Sequence, residues 1–314
     1  MIINTGNRTD IPAYFSDWFY NRIKEGYVYA RNPYYPSQVT KYKLTPDVVD
    51  CLCFCTKNPE PMIERLDELK GFGQFWFVTI TPYDKDIEPN VPNKEKVMES
   101  LKKLSSVIGP EKVIWRYDPI FISEKYSLKI HLENFEKMAS NLSGYTEECI
   151  ISFVDLYEKT KRNFPGVREV SKEEREIIAK EFVCIGTKYN INIKTCAEGY
   201  ELSKFGIDCS GCMTQAVLER AIHSNLKVPK KKGSRESCDC LLGNDIGMYN
   251  TCYHGCLYCY ANYSRDIVRD NFKKHDKNSP FLIGNFMEGD IIKDALQESY
   301  IDNQITFFNK KVVT

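Results

Sequence analysis

The chain has 314 residues, 42% of them apolar, with 43 acidic residues balancing 43 basic ones. That length and apolar content suit one large α/β domain, or a medium domain with a smaller one, and exclude a chain disordered throughout. A formal charge of zero gives no global field to attract a polyanion or a membrane surface.

No run approaches the ~18 apolar residues that span a bilayer. The start, Met1-Ile2-Ile3-Asn4, lacks the charged and apolar regions of a signal peptide. The expectation is a cytoplasmic protein that does not contact membranes.

From the N-terminus to about residue 198, short apolar runs alternate with segments of helical period. Residues 2–4 read as a strand, and Ser16 as the cap of a helix to about residue 25. Residues 27–31 and 38–44 look like an inserted hairpin. A strand at 49–54 precedes a helix at 59–69, and a strand at 74–80 precedes a helix at 94–107. A strand at 112–115 precedes a helix at 128–142, and a strand at 148–156 follows. Ser171 and Glu174 form a capping box that opens a helix to about residue 189, and a sixth strand covers 190–195.

Six βα units in series predict an α/β fold with a parallel sheet. A six-unit partial, TIM-like barrel fits the regularity best, with a flat doubly wound sheet as the alternative. Three segments are expected: the barrel-like domain at 1–198, a cysteine-rich extension at 199–265 folded over the strand ends, and a tail at 266–314 with a short helix near 290–298. Active sites in such folds sit at the C-terminal ends of the strands. Arg8, Asp10, Lys57, Asn58, Thr81, Arg116, Asp118, Asp155 and Glu198 fall there. Strand ends meet solvent and are often polar, but one charged residue near almost every end suits a polar pocket.

Thirteen cysteines are the anomaly in this composition, and eight of them lie between Cys196 and Cys259. Thiols in such number in a reducing compartment point to metal rather than to disulfides. Cys252, Cys256 and Cys259 are spaced C-x3-C-x2-C. Thiolates are soft ligands for iron–sulfur clusters and for zinc. Three on one loop can hold a 4Fe–4S cluster and leave one iron open to a small molecule. Zinc prefers four ligands in paired knuckles, and remains the alternative.

A second set comprises Cys196, Cys209, Cys212, Cys238 and Cys240. A second cluster is the first reading, with Cys196, Cys212, Cys238 and Cys240 as ligands and Cys209 in reserve; zinc or unligated thiols remain open. Cys51, Cys53 and Cys55 alternate along a strand and read as packing residues on one face, as do Cys149 and Cys184. His254 reads as an ordinary loop residue, with a role as a ligand as the alternative. The run Lys227, Lys230, Lys231, Lys232 and Arg235 reads as a solvated loop, with a phosphate or nucleic-acid contact as the alternative.

The stretch from Asn250 to Asn262, with Gly255-Cys256-Leu257-Tyr258-Cys259-Tyr260-Ala261, resembles the cluster loop of radical S-adenosylmethionine enzymes, especially the branch related to spore photoproduct lyase. Arg8-Thr9-Asp10-Ile11-Pro12-Ala13, Thr56-Lys57-Asn58-Pro59, Arg116-Tyr117-Asp118-Pro119, Cys196-Ala197-Glu198 and Asp245-Ile246-Gly247 resemble the family of the domain of unknown function 1848. The first resemblance implies a cluster that binds S-adenosylmethionine, with Tyr258 near its adenine, and a partner such as flavodoxin or ferredoxin to supply electrons. Arg8 and Lys57 would then help bind the cofactor, and Arg116, Asp118, Asp155 and Glu198 would serve catalysis on a substrate. In typical enzymes of that class the loop follows the first barrel strand, whereas here it follows the sixth. A non-radical iron–sulfur protein and a zinc-stabilised nucleic-acid-binding or repair module are the other readings.

Overall fold

The computed structural model describes residues 1–156, 158–165, 167–229, 240, 241 and 243–302. Strand β1 (Ile2–Asn4) leads into helices α1 (Ile11–Tyr14) and α2 (Ser16–Glu25), then the hairpin β2 (Tyr27–Arg31) and β3 (Gln38–Lys43). Strand β4 (Cys51–Thr56), helix α3 (Glu60–Ile63), strand β5 (Gly73–Thr79) and helix α4 (Lys94–Ile108) follow. Next come β6 (Val113–Ile120), α5 (Leu128–Leu142), β7 (Glu148–Phe153), α6 (Glu158–Asn163), α7 (Lys172–Lys188) and β8 (Asn192–Thr195). The last elements are α8 (Gln215–Ile222), β9 (Asn244–Asp245), α9 (Arg265–Lys273) and β10 (Ile291–Asp294).

The main sheet has seven strands in the order β8-β7-β6-β5-β4-β1-β9, all parallel. The six expected strands are present and lie in sequential order, joined by one more that carried no pattern in the sequence. The sheet is open, with β8 and β9 at its edges, so no closed barrel forms.

Alternation divides the strands between two cores. Leu52, Phe54, Trp76, Val78, Trp115 and Ile151 face one way and pack beneath α1, α2, α4, α5 and α7. Cys51, Cys53, Phe75, Phe77, Ile114 and Ile150 face the other way. That second face is covered by Val217, Leu218 and Ala221 of α8, with Cys212, Met213 and Cys240. The C-terminal end of α8 reaches the start of β5, where a Cβ on Gly73 would meet Ile222 at 2.7 Å; only glycine allows that approach.

Several local expectations are corrected. Phe15, not Ser16, is the cap residue of α2, while the Asp10 carboxylate caps α1 by accepting from the Ala13 amide at 3.0 Å. The helix expected at 59–69 breaks into α3 and a 3-10 turn, Leu66–Leu69; the tighter turn eclipses Leu66 and Leu69 so that both are buried. The helix expected near 290–298 is instead β10, which pairs in parallel with β3 from Ile291 opposite Gln38. Its β-branched isoleucines suit a strand, and the edge of the hairpin offers them a ladder. Cys149 is buried as expected, but Cys184 is exposed. Among the described residues, no helix is long and apolar enough to cross a membrane.

Candidate functional site

The C-x3-C-x2-C loop leaves β9 at the edge of the sheet and lies over the C-terminal ends of the strands. Its base is closed by the Asn250 amide donating to Ala261 O at 2.9 Å, and by Asn262 Nδ2 donating to Cys252 O at 2.7 Å. Gly255, at φ +70°, makes the turn between the first two cysteines. Cys252, Cys256 and Cys259 are all half-buried.

Two buried polar groups latch this loop to the strand ends. His254 is 3% exposed. Its Nε2–H donates to Asp10 Oδ2 at 2.8 Å, and its Nδ1 accepts from the Tyr14 hydroxyl at 2.9 Å. The same Asp10 oxygen accepts from the Lys57 amide at 2.8 Å, so one carboxylate ties together the loop, α1 and the end of β4.

Glu88 is the second latch and is 1% exposed. It accepts from Lys57 Nζ at 2.8 Å and Thr81 Oγ1 at 2.7 Å, and also from Lys94 Nζ and the Tyr258 hydroxyl. Burial alone would raise its pKa, but Lys57 and Lys94 outweigh that and lower it to about 2. Lys57 also lies 5.7 Å from the centre of the Tyr258 ring. Backbone bonds complete the attachment: Asn90 N to His254 O at 3.1 Å, and Leu257 N to Ile87 O at 3.0 Å.

Burial pushes the Cys252 thiol up, with Asp10 and the other two thiols adding to the effect. Burial likewise pushes Cys256 up to about 12, against the pull of Lys57. A cleft of about 630 Å³ opens beside the loop, and its wall includes Cys252, Cys256, Asn90, Asn262, Tyr253 and Arg265.

The other expected site residues lie elsewhere. Arg8 pairs with Asp245 at 3.0 Å and so clamps β9 to the end of β1. Arg116 pairs with Asp118, whose other oxygen accepts from Ser152 Oγ. Arg116 lies close enough to Cys55, Cys196 and Cys212 to favour their charged forms. Glu198 accepts from the Phe153 amide at 2.8 Å and pairs with Arg175 at 3.1 Å; burial raises its pKa to about 7. Asp155 is exposed. None of these residues lines the 630 Å³ cleft. Arg116 and Asp118 lie on β6, and Arg8, Asp155 and Glu198 lie in the chain that follows β1, β7 and β8.

Of the second cysteine set, Cys196, Cys212 and Cys240 come together: Cys212 Sγ is 3.5 Å from Cys196 Sγ and 3.3 Å from Cys240 Sγ. Cys209 is apart from them, packed against the helix-side core. Cys238 lies outside the described residues, as do Lys230, Lys231, Lys232 and Arg235 of the basic run. Among the described residues, no group of three or more His, Cys, Asp or Glu side chains is arranged, as it stands, to hold a metal ion.

Two functional elements escaped the sequence reading. His254 is a buried latch rather than an ordinary loop residue, and Glu88 was not singled out at all. Their contacts to the loop and the strand ends are remote in the chain: His254 lies 244 residues from Asp10, and Glu88 lies 170 residues from Tyr258.

The family model described as Domain of unknown function (DUF1848) matches residues 2–261. No curated protein matches the chain.

Proposed function

We propose that this chain, which belongs to the DUF1848 family, is a radical S-adenosylmethionine enzyme whose cluster is held by Cys252, Cys256 and Cys259. The observation behind this reading is the position of the loop in the sheet order. Typical enzymes of that class place the three-cysteine loop after the first strand. Here the loop is late in the chain, yet it follows β9, which lies outside β1 at the sheet edge. In spatial order it therefore follows the first strand. That supports reading the open sheet as a partial barrel entered at a different strand.

The donor chemistry fits. Three soft thiols share one loop, and Lys57 lies close enough to Cys256 to favour its thiolate. When bound, a 4Fe–4S cluster leaves one iron for the amino and carboxylate groups of S-adenosylmethionine and supplies the electron that cleaves its sulfonium to a 5′-deoxyadenosyl radical. The electron comes from a donor such as flavodoxin or ferredoxin.

The chain's own residues do the positioning. Asp10 and His254 fix the first half of the loop, and Glu88 fixes the second half through Tyr258. Leu257 and Tyr258 pack on Tyr83, Phe121 and Val154, which keeps water from that side. Arg116, Asp118 and Ser152 form a hydrogen-bonded polar cluster that lies outside the cleft beside the loop.

Anaerobically reconstituted, reduced full-length protein is expected to form 5′-deoxyadenosine from S-adenosylmethionine. Cys256→Ala is expected to abolish this, and Cys149→Ala to leave it intact. No 5′-deoxyadenosine under strong reductant, across varied substrates, would rule the reading out.

A further inference from the structure

We infer that Cys196, Cys212 and Cys240 form a second metal site, independent of the loop, that takes a single thiophilic divalent ion such as zinc. The spacing of the sulfurs argues for one ion. Cys212 Sγ touches both neighbours, at 3.5 and 3.3 Å. Thiolates on one tetrahedral zinc, with bonds of about 2.3 Å, sit about 3.8 Å apart. The two distances from Cys212 fall short of that by only a few tenths of an ångström. A 4Fe–4S cluster gives each thiolate a different iron, which holds the sulfurs much farther apart. Cys212 and Cys240 are buried, 4% and 6% exposed, in the core formed by α8 and the inner strand face. This spacing suits one ion better than the second cluster suggested by the sequence spacing.

The surroundings suit the charge. Three thiolates and a divalent ion carry one net negative charge. The Arg116 guanidinium lies beside Cys196 and Cys212, and its buried Nε has no hydrogen-bond partner. The Met213 amide donates to Cys240 Sγ at 3.3 Å, the kind of outer contact that orients a ligating sulfur. A fourth ligand, from water or the chain, completes the tetrahedron.

The site holds three of its ligands on separate pieces of chain. Cys196 follows β8, Cys212 precedes α8, and Cys240 precedes β9. An ion there would pin the extension to the inner face of the sheet.

The test removes the loop cysteines first. The full-length Cys252→Ala/Cys256→Ala/Cys259→Ala variant is expected to retain about one zinc per chain by elemental analysis, without acid-labile sulfide. Adding Cys212→Ala should lower the zinc content at least about tenfold, while adding Cys149→Ala instead should not. To keep the test independent of the folding of Cys212→Ala, cobalt is also exchanged into the triple variant with Cys212 intact. Thiolate-to-cobalt charge-transfer bands with the d–d pattern of a four-coordinate site are expected. Absence of metal from the triple variant, iron with matching sulfide, or zinc that survives Cys212→Ala would each overturn the inference. None of these outcomes depends on S-adenosylmethionine chemistry at the loop.

Discussion

His131 is wholly buried between two fixed partners. Its Nδ1 accepts from the Tyr117 hydroxyl at 2.9 Å, and its Nε2–H donates to Phe121 O at 2.8 Å. A neutral imidazole satisfies both bonds, and a protonated one would lose the first. Burial lowers its pKa from 6.5 to about 4. The unfolded chain therefore binds a proton at a pH where the folded chain does not. This contribution is intact above about pH 6.5 and is lost as the pH falls toward 4, to a limit of about 3 kcal/mol. Urea titrations at pH 7 and pH 4.5 should show the wild type losing more stability than His131→Gln. Equal losses would remove His131 as the cause. No local pattern marks this group, because its burial comes from α5 packing on β6.

The element most exposed to a single change is the cysteine loop. Glu88 balances Lys57 and Lys94 in a buried site. Removing one partner of such a set leaves an uncompensated charge. Glu88→Ala is expected to cost about 3–5 kcal/mol, and Tyr258→Phe only about 1 kcal/mol, the value of one hydrogen bond. Denaturant midpoints measure both. Similar small losses for the two variants would mean that Glu88 does not organise the strand ends. The loop's cysteine spacing was legible in the sequence because its ligands are adjacent. Its anchoring was not, because Asp10, Glu88 and Arg8 act across the whole length of the chain. Strand β9 has only two residues and no periodicity, yet it decides where the loop lies. Strands β4 to β8 and helices α4, α5 and α7 were legible because each repeats its apolar period several times.

At the scale of the whole molecule, six strands of the main sheet lie side by side in chain order, β1, β4, β5, β6, β7 and β8, with its seventh strand, β9, beside the first. This arrangement lets an extension written at the end of the chain serve the same end of the sheet as residues near its start. The loop set lies over the strand ends, and Cys196, Cys212 and Cys240 lie against the sheet face covered by α8. The proposed chemistry depends on an open iron at the loop. Electron paramagnetic resonance of anaerobically purified, dithionite-reduced protein, with and without S-adenosylmethionine, addresses this most directly. The proposed function predicts a reduced 4Fe–4S signal that shifts when S-adenosylmethionine is added and disappears in Cys256→Ala. A signal that S-adenosylmethionine leaves unchanged, or no iron signal at all, would contradict it.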